Sequence, residues 1–432
     1  MDEDDVFDVV VVGAGVAGCV AAYQLAAAGR SVVLVDRGVT PGSKNLSGGV
    51  FYCRVMEQVF PGFVTQAPVE RRITRNVVSF LNATSAVNID YWDTRLADPV
   101  NAVSVLRAKL DPWLAERCEE AGVFVMPGVR VDSLLLDGDR VVGVKAGDDE
   151  LRAKVVIAAD GVNSFLARSI GMRAAEPTKH LALGVKSVIG LPRQVIEDRF
   201  GVTGDEGVAY AVVGAATAGV AGGGFCYTNT ESVSIGVVMR LDDLVARGLS
   251  SSDVHDQFLA HPAMARLIDG GELLEYGAHL TIEDGPAMVR QELVRPGLVL
   301  VGDAGGFTLN TGMTIRGMDL AAGSALAAAR AVDAALTAED VSAEGLGRYR
   351  TELAASFVGA DMATYAKAPA FLEHPQMYGQ VGELVADVMH GVFDLDTTAR
   401  KHLVPTARAA LKDSPLTLRT LAGLAVGGMR GL

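Results

Sequence analysis

Val9 to Val12 are four consecutive valines that run straight into Gly13-Ala14-Gly15-Val16-Ala17-Gly18. The run is too short and too β-branched for a helix, so it reads as a strand. The segment CVAAYQLAAAG that follows is helical by composition and stops at Gly29, and SVVLVDRG reads as a second strand ending in Asp36. The first 37 residues therefore form a βαβ unit. Its glycine spacing is that of a dinucleotide fingerprint: Gly13 makes the tight turn, Gly15 lets backbone approach a pyrophosphate, and Gly18 lets helix pack on strand. Asp36 falls 18 residues after Gly18, where a carboxylate accepts from a ribose 2′-hydroxyl and repels a 2′-phosphate. NADP is thereby disfavoured, while NAD and FAD both satisfy the fingerprint.

An apolar strand ending in glycine or an acid recurs twice more, in VVIAADGVNS with Asp160 and in LVLVGDAGG with Gly302 and Asp303. Ligands of an open parallel sheet lie beyond the carboxyl ends of its strands, so three such ends can converge on one extended ligand. No second GxGxxG occurs, which favours a single long nucleotide over two dinucleotide domains. Flavin adenine dinucleotide has that length. Asp303 is the most demanding of these residues, because an acid closing an apolar strand is costly to bury unless something donates to it.

Elsewhere, PGSKNLSGGVFY (Pro41 to Tyr52) is a polar, glycine-rich loop, and Ala102 to Gly122 reads as a helix with its charges on one side. Val123 to Ser164 reads as successive strands with turns at Asp137-Gly138 and Gly147-Asp148, and from about His180 to Val294 strands dominate. The uncharged stretch Gly207 to Thr230 is long enough for a membrane span. It holds six glycines and precedes the alternating SVSIGVVM, so buried strands joined by glycine turns are expected instead.

Composition closes off other classes. A net charge of -14 leaves no dense basic face for phosphate neutralisation, which argues against nucleic-acid binding. Four widely separated cysteines offer no zinc or iron–sulfur ligand set and suggest buried small apolar residues in a reducing, cytoplasmic setting. The leading MDEDDVFD is acidic where a signal peptide would be basic. From Arg400 onward the balance inverts, with six Lys or Arg against Asp413 alone. That segment is either a solvated basic helix or one that rests on a membrane surface or an acidic partner.

The N-terminal GxGxxG, the middle Asp-Gly and the late Gly-Asp together resemble the glutathione-reductase-like flavoproteins of the para-hydroxybenzoate hydroxylase type, and the match spans the chain. Within them the sequence most resembles the FixC family, related to electron transfer flavoprotein–quinone oxidoreductases, through PGSKNLSGGVFY, GGGFCYTNTESVSIGVV (Gly222 to Val238), EYGAHLTIEDG (Glu275 to Gly285) and VGDAGGFTLNTGMTIRGMDLA (Val301 to Ala321). The resemblance implies an α/β fold with a glutathione-reductase-like FAD-binding Rossmann domain and a discontinuous antiparallel-sheet substrate/quinone domain. The FAD-binding part would take 1–179 and 295–345, the sheet-rich part 180–294, and a helical region with the basic tail 346–432.

The same resemblance implies that Gly13, Gly15 and Gly18 meet the pyrophosphate, Asp36 the adenosine ribose, and Arg107 the phosphate and ribityl region, with Arg37 among the cofactor-binding residues. Val129 would sit by the adenine, Asp160 would belong to the middle motif, and Asp303, after the cofactor-binding Gly302, would accept from a ribityl hydroxyl. Lys44 and Asn45 would lie near the flavin ring, as would Gly312 and Met313 at a helix beginning near Thr311 to Arg316. That helix would aim its amides at the flavin N1/C2=O edge. Each also has a purely structural reading: Arg107 as a solvated helix arginine, Lys44 as a loop-surface lysine, Asp160 as a turn-former.

A flavin carries redox chemistry itself, so no catalytic side chain is assigned. The implied donor is an electron transfer flavoprotein of the FixA/FixB type. The family's fused members carry a four-cysteine ferredoxin-like domain that this sequence lacks, so a separate FixX-type ferredoxin is the implied partner and quinone the implied acceptor, with a peripheral contact on the inner face of the cell membrane. A flavin monooxygenase and a geranylgeranyl-reductase-like prenyl reductase share the FAD motifs and stay open as alternatives.

Overall fold

The computed structural model of the protein describes residues 6–43 and 48–432, so Lys44 and Asn45 lie outside the described residues. The four valines belong to strand β1 (Phe7–Val12), which pairs in parallel with β2 (Val32–Asp36) on one side. On its other side lies β10 (Asp149–Ala158), itself paired in parallel with β17 (Leu298–Leu300). β7 (Phe124–Pro127) extends the sheet beyond β2, and β16 (Val294–Arg295) closes it beyond β17. The turns at Asp137-Gly138 and Gly147-Asp148 join β8 (Ser133–Asp137), β9 (Arg140–Ala146) and β10 into the expected meander. Val9, Val10 and Val11 are buried, as are Val155 to Ala158 and Leu298 to Leu300, the continuous apolar pattern of strands covered on both faces.

Helix Val16–Ala27 packs against helix Arg107–Glu120 and against helix Met318–Thr337. It is apolar nearly all round, as a helix enclosed by neighbours must be. Among the described residues, Met318–Thr337 is the one helix long and apolar enough to cross a membrane, yet 78% of its apolar window is buried within the protein. The stretch from Gly207 to Thr230 falls on strands, as its glycines suggested: β12 (Glu206–Gly214) and β13 (Gly222–Thr228).

Those two strands belong to a second, nine-stranded sheet. It is ordered from β15 (Glu272–Ile282) through β11 (Leu181–Gly190), β14 (Ser232–Arg240), β13 and β12 to β4 (Val69–Leu81), β6 (Val103–Val105) and β3 (Gly49–Phe51), with β5 (Ala86–Trp92) beside β4. Strands from 49–105, expected within the nucleotide-binding part, thus pair with strands from 181–282. The link is the parallel pairing of β4 with β12, a long-range contact that local periodicity does not reveal. Among the described residues five α-helices interrupt the expected run of strands: Arg193–Phe200, Leu241–Arg247, Ser251–Ala260, Pro262–Ile268 and Gly285–Val289. Ser251–Ala260 and Pro262–Ile268 carry start signals that are clear in retrospect, Ser250 accepting from the Asp253 amide and Pro262 in the first turn.

The helix expected near Thr311 to Arg316 begins instead at Met318, after Gly317. Residues 309–316 form a hairpin, β18 (Leu309–Asn310) with β19 (Ile315–Arg316). Asn310 Oδ1 accepts from the Gly312 amide at 2.8 Å, the Thr311 and Thr314 hydroxyls meet at 2.9 Å, and Gly312 takes a left-handed φ of 78°. These local bonds give the backbone an alternative to helix.

Beyond residue 346 the chain is helical, ending in Gln380–Phe393, Leu403–Asp413 and Leu418–Gly431. All four cysteines are buried free thiols. Cys19 and Cys118 lie in the core around the parallel sheet, with the Cys118 thiol donating to the Cys19 carbonyl at 3.2 Å, and Cys226 lies in the core of the second sheet.

Candidate functional site

The three motif strands stand side by side as β17, β10 and β1, and their carboxyl ends open into one cavity of about 700 Å³. Gly13, Gly15, Asp36, Arg37, Arg107, Val129, Asp160, Gly302 and Asp303 all line it, although they come from six separate stretches of sequence. Gly13 has φ +106°, and a β-carbon there would come within 2.3 Å of the Ala159 carbonyl oxygen. Gly18 does not face the cavity. A β-carbon there would lie 1.8 Å from the Gly13 carbonyl, so its absence lets the helix close on the turn. Gly15 caps helix Val16–Ala27 without a side-chain bond, leaving the first amides of the helix as donors for an anion.

Asp36 does more than its expected ribose role requires. Its Oδ2 accepts from the Ala14 amide at 2.8 Å and its Oδ1 from the Gly38 amide at 2.7 Å, which ties the glycine turn to the end of β2. A carboxylate oxygen accepts more than one bond, so a hydroxyl can still be received. Arg107, at the start of its helix, is not a solvated helix arginine. Its Nε and Nη2 grip the fully buried Asp111 carboxylate at 2.5 and 2.7 Å, beside Gly15. That bidentate clamp fixes a guanidinium at the cavity wall.

Asp160 Oδ2 accepts from the Leu166 amide at 3.0 Å, whereas Oδ1 is buried without a hydrogen-bond partner. Burial pushes this carboxyl above the ordinary range. Asp303 is raised for the same reason, with the Thr308 hydroxyl donating to its Oδ1 at 3.1 Å and Arg107 acting against the shift. Two buried carboxyls with acceptor capacity to spare are what a polyhydroxylated ligand satisfies. Glycine edges that admit phosphates, uncapped helix amides and a fixed guanidinium complete the fit to FAD.

The cavity is also lined by residues that the motifs alone did not single out: Thr308, His279, and Ile315, Gly317 and Met318 at the hairpin and the start of the long helix. Thr308 and His279 lie inside stretches that carry the family resemblance, but spacing gives neither a role. Gly312 and Met313 are not brought to the cavity. A β-carbon on Gly312 would face Leu372 and Leu432 at 3.1 and 3.7 Å, and Met313 is 58% exposed at the hairpin tip. Among the described residues no cluster of His, Cys, Asp or Glu could hold a metal ion.

Comparison with known proteins agrees with this geometry. Residues 6–223 match the FAD binding domain family. The chain is 50% identical over 394 residues to the probable electron transfer flavoprotein-quinone oxidoreductase YdiS of Escherichia coli K12, covering 91% of this chain and 92% of that one. It is 44% identical over 397 residues to the protein FixC of Salmonella typhi, covering 92% of both. Among solved structures, a geranylgeranyl bacteriochlorophyll reductase-like protein from Thermoplasma acidophilum superposes with a TM-score of 0.72 at 19% identity, over 97% of this chain and 99% of that one. The flavin-dependent brominase Bmp2 superposes with a TM-score of 0.62 at 17% identity, over 94% and 98%. At such identities these two show the fold alone, whereas the sequence relatives show more. The chain belongs to the FixC and electron transfer flavoprotein–quinone oxidoreductase family, and it is an FAD-dependent electron-transfer oxidoreductase.

Proposed function

We propose that this protein takes electrons from an electron transfer flavoprotein of the FixA/FixB type and passes them toward quinone or a FixX-type ferredoxin. The observation that carries this reading is the similarity, over more than nine-tenths of both chains, to a probable electron transfer flavoprotein-quinone oxidoreductase and to FixC. FAD, when bound, supplies the redox chemistry. The chain's own residues bind and orient it: Gly13 and Gly15 admit the pyrophosphate, Arg107 faces its charge, and Asp36 with Arg37 takes the adenosine ribose beside Val129. Asp303 accepts from the ribityl chain, with Thr308 holding the carboxylate in place. The uncapped start of helix Met318–Thr337 offers amides to the ring end, where reduction adds negative charge. The parallel sheet with its helices forms the FAD-binding unit in this reading, and the second sheet the acceptor side.

The tail helices fit a peripheral contact with an anionic membrane surface. Leu403, Val404, Leu418 and Met429 are exposed beside the basic residues of the segment, on a chain that is acidic elsewhere. The test is anaerobic: the FAD-loaded protein is mixed with reduced electron transfer flavoprotein, or with NADPH, and flavin absorbance is followed. Rapid bleaching by the flavoprotein and onward transfer to a quinone analogue are expected. Rapid reduction by NADPH alone would overturn the proposal in favour of a monooxygenase or prenyl reductase.

A further inference from the structure

The second sheet carries a lysine for which FAD binding gives no account. Lys186, in the middle of β11, is only 3% exposed. Its neighbours across the sheet are glycines on both sides, Gly236 on β14 and Gly277 on β15, and the Phe225 ring lies over Gly236 beside it. Its Nζ donates to the Gly48 carbonyl at 2.7 Å and to the Tyr227 hydroxyl at 3.3 Å, and stands 5.9 Å from the centre of the Tyr227 ring.

Strand alternation fixes the direction in which this amine points. Lys186 pairs with Gly277 and Gly184 with His279, so Lys186 and His279 project from the same face of the sheet. His279 lines the FAD cavity, and one two-residue step along a strand is about 7 Å. The loop that Lys186 holds, at Gly48, runs against the Val105 carbonyl, two residues before the cavity-lining Arg107. The cavity wraps the end of β15, where Leu280 of the opposite face also lines it, and the amine, on the His279 face and bonded to Gly48, lies near the cavity without lining it.

We propose that Lys186 is a positioning and charge-compensating residue, whose uptake of a proton balances the negative charge that reduction places on bound FAD. Were bound FAD reduced by two electrons with one proton taken up by the ring, one negative charge would remain there; the neutral Lys186 amine would take a second proton from solvent to become an ammonium and would return it on reoxidation. The inference rests on FAD binding and not on which partners donate or accept.

The surroundings put the amine at the balance point that such a role requires. Burial lowers its pKa to about 7, the neighbouring Glu275 acting to raise it and Arg107 to lower it further. The titratable and charged groups facing it are Tyr227 from β13, Glu275 from β15 and Arg107 from its helix. Burial pushes the Tyr227 hydroxyl far above its ordinary range, so it stays neutral and does not compete for the proton. A permanently charged surface lysine could not respond to the flavin in this way, and an apolar residue would supply nothing.

The experiment measures the FAD midpoint potential by spectroelectrochemistry between pH 6 and 9 for the wild type, Lys186→Met and Lys186→Arg. In parallel, NMR of lysines labelled with 13C at Cε follows the amine itself in the oxidised and reduced protein. Lys186→Met should favour the reduced flavin about tenfold less below pH 7, about 30 mV for a two-electron couple, with the difference fading above pH 8. Lys186→Arg should keep the wild-type preference at low pH and hold it at high pH. In the wild type the labelled amine should titrate at higher pH when the flavin is reduced. A Lys186→Met protein that retains FAD and matches the wild-type potential at every pH overturns the proposal, as does an amine titration indifferent to flavin state. Should Lys186→Met fail to fold, Tyr227→Phe removes one acceptor of the ammonium and should move the amine titration to lower pH; an unmoved titration counts equally against the role.

Discussion

The two sheets present ligand-facing groups in different ways. The parallel sheet does so at strand ends, where β1, β10 and β17 run into a glycine or an acid, while the second sheet does so along the side of one strand, through His279, Leu280 and Thr281 of β15. At an end, the chain must turn sharply and leave room for ligand, so backbone conformation is the limiting quantity. On a face, the backbone is ordinary strand, and what matters is which side chain is opposite which.

The sharpest way to break this contrast is a substitution at an end. Gly13→Val places side-chain atoms against the Ala159 carbonyl and forces a branched residue to φ +106°. A loss of about 4 kcal/mol or more is expected, with no bound FAD, read by thermal denaturation and flavin absorbance. On the face, the largest effect should come from Lys186, with the opposite sign. An amine whose pKa is lowered from 10.5 to about 7 binds fewer protons folded than unfolded between those values. Its burial therefore costs nothing above pH 10.5 and costs most below pH 7. After allowing about 1 kcal/mol for each lost hydrogen bond, Lys186→Met should be more stable than wild type by about 3 kcal/mol near pH 6, and the gain should vanish at about pH 9 and reverse above it in urea titrations.

Smaller effects sharpen the contrast further. Arg107→Met removes the clamp on buried Asp111 and should cost about 2 kcal/mol, less than a fully buried pair because the arginine side chain keeps 19% exposure. FAD affinity should fall with it. Asp303→Ala should weaken FAD about tenfold, or about 1.4 kcal/mol, with the melting temperature of the protein nearly unchanged; equilibrium fluorescence titration separates the two effects. The smallest effect is expected from Gly184→Ala on the cavity face of β11. A β-carbon there meets nothing closer than the His279 carbonyl at 3.6 Å, so a change within about 0.5 kcal/mol is expected. A large loss at Gly184 would show that glycines on the face are as constrained as those at the ends.

The same contrast explains what was legible in the sequence. Strand ends announce themselves locally: a short apolar run, a glycine, an acid. Gly13, Asp36, Asp160 and Asp303 could each be picked out without knowing what paired with what, and the structure gathers all four around one cavity. Lys186 and His279 could not be picked out in that way. They are far apart in sequence, and only the register of β11 on β15 shows that they share a face. The parallel pairing of β4 with β12, which carries strands from 49–105 into the second sheet, was hidden for the same reason. The hairpin at 309–316 was obscured differently, by the alanine-rich helix behind it, whose pattern invites an earlier start than the Asn310 and Thr311 side chains allow.

The buried thiols give this division a time axis. Cys19 and Cys118 lie in the core around the parallel sheet and Cys226 in that of the second sheet, so a thiol reagent can reach each only when its own region opens. Labelling kinetics followed site by site would clock the opening of the two regions separately in one native chain. FAD should slow the labelling of Cys19 and Cys118 more than that of Cys226, because a ligand held at the strand ends protects first the layer that it binds.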